Sequence, residues 1–228
     1  MGIILNIETA TKNCSVSVAE GARTIALKEL NEGAFSHAEK LHLFIEEAVA
    51  AAGLTLKDLQ AVAVSKGPGS YTGLRIGVSA AKGLCYALDL PLISVATLKS
   101  LALQASPEDG SVIVPLLDAR RMEVYSAVFD FSHHQLRETK AEIIDPSSFS
   151  ELLEKNPVYF MGDGAEKCKG FIKHKNAIFL TEKFPSAREM AVLSAQKFEN
   201  KDFEDLAYFE PYYLKDFVAG KPKNYFNS

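Results

Sequence analysis

The sequence contains few cysteines, no excess of positive charge and no long apolar run. Its three cysteines, Cys14, Cys85 and Cys168, are odd in number and widely spaced, which fits reduced thiols better than disulfides or a zinc site. The formal charge of -4 argues against a basic surface of the kind that binds nucleic-acid phosphates. No stretch approaches the roughly 18 uninterrupted apolar residues of a membrane helix. We therefore expect a protein without disulfides, membrane spans or a nucleic-acid-binding surface of its own.

The first residues also lack the features of a targeting segment. The opening M-G-I-I-L-N-I-E-T has no basic region, and Asn6 and Glu8 interrupt its apolar run, so the sequence predicts no signal peptide. Asn6 also stands where a myristoylation motif has Ser or Thr. Together with the reduced thiols, this pattern predicts a cytoplasmic protein that makes no contact with membranes.

The hydrophobic pattern along the 228 residues predicts an α/β fold in which one arrangement occurs twice. Hydrophobic residues make up 47% of the chain, so a sizeable core is expected. In the first half, strands are predicted at 2–8, 14–19, 24–30, 61–64 and 91–95, with helices at 36–52 and 72–88. In the second half, strands are predicted at 112–118, 123–130, 141–145 and 158–161, with helices at 145–156, at 164–173 and from a capping box at 186–189 onward. The order βββαβα is that of a ribonuclease H-like lobe, a mixed sheet flanked by helices.

Proline, aspartate and glycine gather at 106–110, between the two predicted lobes. We therefore expect the first lobe to span residues 1–105 and the second to span residues 106–228. The segment P-Y-Y-L at 211–214 is expected to fold back onto a lobe, because aromatic and aliphatic side chains each gain about 1.5 to 3 kcal/mol on burial. Residues 221–228 are expected to be loose.

The segment from Lys66 to Leu84 reads K-G-P-G-S-Y-T-G-L-R-I-G-V-S-A-A-K-G-L, a rigid turn followed by a glycine-rich helix. Each interior glycine costs a helix about 1 kcal/mol relative to alanine, so close packing is expected to offset that cost. Gly73, Gly77 and Ala81 are four residues apart and form one stripe without bulky side chains. Two interpretations stay open: the stripe packs against its own lobe, or a second molecule approaches it.

Three further stretches accompany the glycine-rich segment: I-L-N-I-E-T-A-T near the N-terminus, L-D-A-R-R-M-E-V-Y at 117–125 and P-Y-Y-L-K at 211–215. Together the four resemble, in the same order, the motifs of the TsaB (YeaZ) family, bacterial proteins required to make threonylcarbamoyladenosine in transfer RNA. The resemblance spans most of the chain. It implies two tandem ribonuclease H-like lobes, the architecture of the actin, Hsp70 and sugar kinase superfamily.

The resemblance also implies a function and a set of partners. It implies a non-catalytic subunit that binds and activates TsaD for threonylcarbamoyl transfer to the adenosine next to the anticodon. TsaE is the other implied protein of the complex, a homodimer is expected in isolation, and transfer RNA is contacted only indirectly. No cofactor is required by this chain, and ATP or ADP is the candidate ligand at the partner interface.

The two helices of the first lobe are the predicted partner surface. Leu43, Phe44 and Ala51 lie off the main apolar stripe of the helix at 36–52, and such a second facet is typical of an interface, although a loop or terminus covering it is an alternative. We expect Phe44 and Gly77 to be on the surface of the monomer. The candidate interface residues are His37, Leu41, Phe44, Ile45, Ala48, Gly73, Arg75, Ile76, Gly77, Ala80 and Ala81.

A vestigial nucleotide cleft between the lobes is a second candidate site. Its candidate residues are Glu8, Thr9, Gly67, Gly69, Asp118, Gly162 and Gly164. In that superfamily acidic and small residues of the first hairpin of each lobe surround the phosphates. Here 8–11 offers no glycine, and Arg120 and Arg121 stand where bare backbone amides are needed, so no working ATPase is predicted. The alternatives are structural: an Asp118–Arg120 ion pair that supports a hairpin, and glycines that only shape turns.

The histidines predict no metal site. His37 and His42 are five residues apart, about 140 degrees round a helix, so they cannot share one metal ion as an i, i+4 pair can. The related enzyme TsaD carries a helical H-x-x-x-H pair at the positions that Thr97 and Leu101 occupy here. Metal-assisted transfer is therefore not expected. The rival prediction is an independent enzyme of the superfamily, either a small-metabolite kinase or an M22-type glycoprotease.

Overall fold

A computed structural model describes residues 2–31 and 37–215. The first sheet has five strands in the order β3-β2-β1-β4-β5, in which β1 pairs antiparallel with β2 and parallel with β4. Its elements are β1 (Ile3–Glu8), β2 (Cys14–Glu20), β3 (Arg23–Leu30), α1 (His37–Ala51), β4 (Ala61–Gly67), α2 (Tyr71–Leu88), β5 (Leu92–Ala96) and α3 (Thr97–Ala102). A short 3₁₀ turn at Leu56–Asp58 leads into β4.

The second sheet repeats the first. Its order is β8-β7-β6-β9-β10, and β6 likewise pairs antiparallel with one neighbour and parallel with the other. The elements are β6 (Val112–Asp118), β7 (Glu123–Asp130), β8 (Gln135–Ile143), α4 (Ser150–Leu153), β9 (Val158–Met161), α5 (Ala165–Lys169), β10 (Ala177–Leu180) and α6 (Ala187–Glu199). The predicted fold, two tandem lobes with mixed sheets flanked by helices, is confirmed.

The helix predicted at 145–156 is wrong in extent, because only Ser150–Leu153 is helical. The Asp145 side chain accepts the backbone N–H of Ser147 at 2.7 Å, which turns the chain before a helix can begin. Phe149 then has a left-handed backbone, with a φ of 62°. The third strand of this lobe is longer than predicted, and α3 and β10 were not predicted at all.

Two helices, α3 and α6, each pack on the sheet of the other half of the chain. Leu98 and Leu101 of α3 pack with Ile113 and Phe129 of the second sheet, although α3 directly follows the first. The helix α6 packs on the first sheet, where Ala187, Met190 and Leu193 contact the side chains of Ile4, Ala63, Ile93 and Val95. The first sheet ends at Ala96 and the second begins at Val112, and α3 and α6 join the two halves by more than one linker. The domain boundary at 106–110 stays a prediction.

The segment after α6, residues 203–215, runs back along the first lobe, and we call it the tail segment. The backbone N–H of Tyr212 donates to the carbonyl of Lys66 at 2.7 Å, and Lys82 Nζ donates to the carbonyls of Ala207 and Phe209. The prediction that 211–214 folds back is confirmed. The prediction for 221–228 lies outside the described residues. Within 2–31 and 37–215, no helix is long and apolar enough to cross a bilayer.

Candidate functional site

Glu8, the last residue of β1, is fully buried rather than open to a cleft. Its Oε1 accepts the backbone N–H of Ala10 at 2.6 Å and the hydroxyl of Ser65 at 2.8 Å. Among the described residues, Oε2 has no hydrogen-bond partner. Burial raises the pKa of Glu8 to about 7, because the charged form is poorly solvated there. Glu8 therefore joins the β1–β2 loop to β4.

The Gly-Pro-Gly turn packs directly on that loop. Ser70 donates its backbone N–H to the carbonyl of Ala10 at 2.6 Å, and a Cβ at Gly69 would lie 2.5 Å from the same oxygen. Gly67 has a φ of +105° and donates its N–H to Thr97 Oγ1 at 3.1 Å. The close approach of the two backbones accounts for Gly69, and the left-handed backbone accounts for Gly67. The interpretation that these glycines only shape the turn is therefore sufficient.

Asp118 ends β6, at the position that corresponds to Glu8 in the repeat. Its carboxylate accepts the Lys167 ammonium at 2.6 Å and the backbone N–H of Arg120 at 2.7 Å. The predicted Asp118–Arg120 ion pair is wrong in its cation, because Arg120 contributes its backbone while Lys167 reaches across from α5. The Lys167 ammonium also donates to the carbonyl of Arg121 at 3.0 Å, so it supports the β6–β7 hairpin as expected of an ion pair there.

Gly162 and Gly164 bring the turn after β9 against β6. A Cβ at Gly162 would lie 2.3 Å from the carbonyl oxygen of Leu116, and the φ of Gly162 is +104°. Gly164 donates its N–H to that same carbonyl at 3.1 Å. Between them, Asp163 accepts the N–H of Asp118 at 3.0 Å, and burial raises its pKa. Close packing explains these glycines, and the nucleotide cleft stays a prediction.

The glycine stripe of α2 faces the chain's own β1–β2 loop. A Cβ at Gly73 would lie 2.2 Å from the carbonyl oxygen of Thr9, and one at Gly77 would lie 2.2 Å from Thr9 Oγ1. Ala81 is fully buried in the first lobe's core. The expectation that Gly77 is on the surface of the monomer is wrong, because the loop occupies the space that the missing side chains leave.

Four of the candidate interface residues on α1 are also internal. Leu41, Ile45 and Ala48 belong to the first lobe's core, and His37 Nε2 is hydrogen-bonded to the carbonyl of Thr11 at 2.7 Å. Burial lowers the pKa of His37. Phe44, Ile76 and Ala80 are half-buried and Arg75 is exposed, so these four remain available to a partner.

A groove of about 750 Å³ lies between the outward faces of α1 and α2, and we call it the α1–α2 groove. It is lined by Ala38, His42, Tyr71, Thr72, Arg75, Ile76, Ser79, Ala80, Gly83 and Leu84. A Cβ at Gly83 would meet nothing within 4 Å, so this glycine opens to solvent, unlike Gly73 and Gly77. Only Arg75, Ile76 and Ala80 of these were candidates from the sequence. Helical spacing from Ile76, at 72, 79 and 83, is the sequence signal that could have identified Thr72, Ser79 and Gly83.

Thr97 and Leu101, the two positions considered for a metal-binding histidine pair, have structural roles here. Thr97 Oγ1 accepts the N–H of Gly67, and Leu101 is fully buried where α3 packs on the second sheet. In the part of the chain that the structure describes, no three His, Cys, Asp or Glu side chains are grouped so that they could hold a metal ion.

The duplicated lobes, their strand order and the two carboxyl groups that end β1 and β6 define the class: a protein with the actin-like ATPase fold. A crystal structure of a Pseudomonas aeruginosa protein with similarity to the peptidase YeaZ shares this fold, with a TM-score of 0.82 and 22% identity over 94% of this chain and 100% of that one. A family model described as TsaD, tRNA N6-adenosine threonylcarbamoyltransferase, matches residues 31–223.

Two curated relatives narrow the class to a family. The chain is 30% identical over 230 residues to the tRNA threonylcarbamoyladenosine biosynthesis protein TsaB of Escherichia coli, covering 96% of both chains. It is also 30% identical to the protein of the same name from Haemophilus influenzae, over 96% of this chain and 95% of that one. The chain belongs to the TsaB (YeaZ) family of tRNA threonylcarbamoyladenosine biosynthesis proteins.

Proposed function

We propose that this chain is a non-catalytic subunit that binds TsaD through the α1–α2 groove and activates its threonylcarbamoyl transfer to tRNA. The observation that carries the proposal is the groove itself, an open and largely apolar surface between two helices that are firmly packed on their own lobe. Concave apolar surfaces of this kind mark sites where a protein partner docks. Two helices from a partner of similar fold would fill it by side-chain packing.

The described residues that could carry catalysis are engaged elsewhere, which supports an accessory role. Glu8 and Asp118 are tied to their own lobes by hydrogen bonds and an ion pair. Thr97 and Leu101 occupy the places of the two TsaD histidines, and neither supplies a nitrogen ligand. These contacts disfavour the rival prediction of a kinase or a glycoprotease.

The rest of the assembly is part of the same proposal. TsaE completes the complex, ATP or ADP binds at the interface with TsaD, and tRNA is held by the partners. Without TsaD, the groove is used for self-association, since one apolar surface serves either partner. The chain acts in the cytoplasm together with TsaD.

The proposal is tested by one substitution in the groove and the same substitution outside it. Ala80 lines the α1–α2 groove, whereas Ala87 is exposed on the same helix and does not. Ala80→Asp places a carboxylate in an apolar contact, which costs a few kcal/mol on burial, so it should abolish both binding to TsaD and stimulation of TsaD. Ala87→Asp should bind and stimulate as the unchanged chain does.

Association is measured by light scattering of the mixed purified proteins, and activity by threonylcarbamoyladenosine formed on tRNA with TsaD and TsaE present. The melting temperature of each variant establishes that it is folded. A folded Ala80→Asp variant that binds TsaD and stimulates it normally would show that the groove is not the docking surface. Turnover by the chain without TsaD would refute the accessory role.

A further inference from the structure

Arg75 gives the α1–α2 groove a fixed positive charge at one end. Its side chain lines the groove and is exposed. The guanidinium donates to the hydroxyl of Tyr71 through Nη1 at 2.9 Å, and its carbon lies 5.3 Å from the centre of the Tyr71 ring. In the described part of the chain, the carboxylates that form ion pairs all pair with other cations, and none pairs with Arg75.

Among residues 2–31 and 37–215, no acidic side chain lines the groove. Apart from Arg75 and His42, the lining is made of aliphatic, hydroxyl and glycine positions and one tyrosine. A partner surface that filled this groove would remove the guanidinium from water, and a buried charge without a counter-charge is strongly unfavourable. The groove therefore selects a partner that brings a carboxylate to the Arg75 end and apolar side chains to the remainder.

The tail segment holds this charge in place. The Tyr213 ring lies 5.0 Å from the Tyr71 ring, centre to centre, so Arg75, Tyr71 and Tyr213 form one row. The tail is in turn anchored by the hydrogen bond from Tyr212 to Lys66 and by the two from Lys82. A guanidinium whose plane is already oriented loses less entropy on binding than a free one.

We propose that Arg75 determines partner specificity by pairing with a carboxylate on an apolar helix of TsaD, and that Tyr213 is a positioning residue that acts through Tyr71 and Arg75. This inference rests on the function proposed above and adds the chemistry of the partner. A planar carboxylate matches the paired N–H groups of a guanidinium, and arginine and tyrosine are among the residues that most often dominate interface energies. A phosphate would meet the same guanidinium but would leave the apolar part of the groove empty.

The charge is tested by three substitutions at one position. Arg75→Ala should weaken binding to TsaD by about thirtyfold or more, and Arg75→Glu by more than that, because it sets two carboxylates against each other. Arg75→Lys keeps the charge without the planar fork and should bind within about tenfold of the unchanged chain. Dissociation constants are measured by titration calorimetry at low and high salt, and the Arg75→Ala complex should lose part of the salt dependence of the unchanged one.

The tail contact is tested by whether its effect depends on Arg75. Tyr213→Ala should weaken binding to TsaD by about three- to tenfold, and Tyr213→Phe, which keeps the ring, should restore it. In an Arg75→Ala background, Tyr213→Ala should have no further effect, because the residue through which it acts is gone. Tyr208→Ala is the matched control, since Tyr208 is on the same segment and is 84% exposed.

The outcomes separate this inference from the proposed function. If Ala80→Asp abolishes binding while Arg75→Ala and Arg75→Glu bind like the unchanged chain, the groove is the docking surface but the carboxylate inference is wrong. If Tyr213→Ala and Arg75→Ala are additive, Tyr213 does not act through Arg75. If binding persists in the Ala80→Asp variant, the proposed function itself fails.

Discussion

At the scale of single residues, Glu8 shows how burial changes what a carboxyl group does. It ends β1 at the position that Asp118 has at the end of β6, and it is hydrogen-bonded to Ala10 and Ser65 inside the lobe. Its raised pKa follows from desolvation, and the two hydrogen bonds only partly oppose it. The residue therefore carries a pH-dependent share of the folding free energy.

The contribution of Glu8 to stability decreases as the pH rises. A carboxyl with a pKa of about 7 in the folded chain and an ordinary value of 4.5 binds more protons folded than unfolded between those values, so stability falls as the pH rises through this range. Glutamine does not titrate, so the free energy of unfolding of Glu8→Gln should not show this fall. Relative to the unchanged chain, it should rise by up to about 3 kcal/mol between about pH 4 and pH 8.

Urea unfolding at several pH values measures this difference, and Glu138→Gln, at an exposed position, is the control. A constant difference in free energy of unfolding between Glu8→Gln and the unchanged chain, from acid to neutral pH, would contradict the buried, protonated state of Glu8.

At the scale of elements, α2 uses its two faces for different purposes. The face with Gly73 and Gly77 admits the β1–β2 loop, and the face with Thr72, Ile76 and Gly83 lines the groove. Helical propensity alone treats all three glycines as equally costly. Gly73 and Gly77 are packed against the loop, whereas Gly83 has no neighbour within 4 Å of a Cβ position.

Alanine at two of these glycines should change stability in opposite directions. Gly83→Ala meets nothing within 4 Å and should raise the free energy of unfolding by up to about 1 kcal/mol, through helix propensity. Gly73→Ala would place its Cβ 2.2 Å from a backbone oxygen of Thr9, which cannot rotate away, and should lower it by about 2 kcal/mol or more.

Thermal and denaturant unfolding of the two variants, which differ only in position on one helix, measure this contrast. A Gly73→Ala variant as stable as the unchanged chain would mean that the loop lies further from α2 than the structure places it.

At the scale of the whole molecule, contacts between distant parts of the chain hold the two lobes together. The helices α3 and α6 each pack on the sheet of the other half. The tail segment adds a third link, because Lys215 at its end forms an ion pair with Glu123 of β7 while Tyr212 is bonded to the first lobe. The chain therefore should unfold as a unit rather than lobe by lobe.

Truncation tests the contribution of the tail. A chain ending at Glu210 loses the hydrogen bond of Tyr212, the Tyr213 ring contact and the Lys215 ion pair, and its free energy of unfolding should fall by about 1 to 3 kcal/mol. A chain ending at Gly220 keeps all three contacts, so it is the control and should melt at the same temperature as the full chain. An unchanged melting temperature after truncation at Glu210 would show that these contacts contribute nothing.

The sequence by itself determined most of the element order, the duplication of the lobe and the family, because hydrophobic periodicity and short motifs are local properties of the chain. It also indicated close packing at the α2 glycines, which is confirmed at Gly73 and Gly77 but wrong at Gly83. Predictions of helices and strands failed for two different reasons. The helix predicted after Asp145 was ended by a local side-chain hydrogen bond, and α3 and β10 are too short for periodicity to identify.

Only the tertiary structure decided which neighbour each face meets. Helical spacing groups Gly73 with Gly77, but whether they face a partner or their own lobe depends on where Thr9, more than sixty residues away, is placed. The same holds for Asp118, whose cation is Lys167 of α5 rather than the nearby arginine. Contacts between residues distant in sequence are set by the packing of whole elements, which no local pattern encodes.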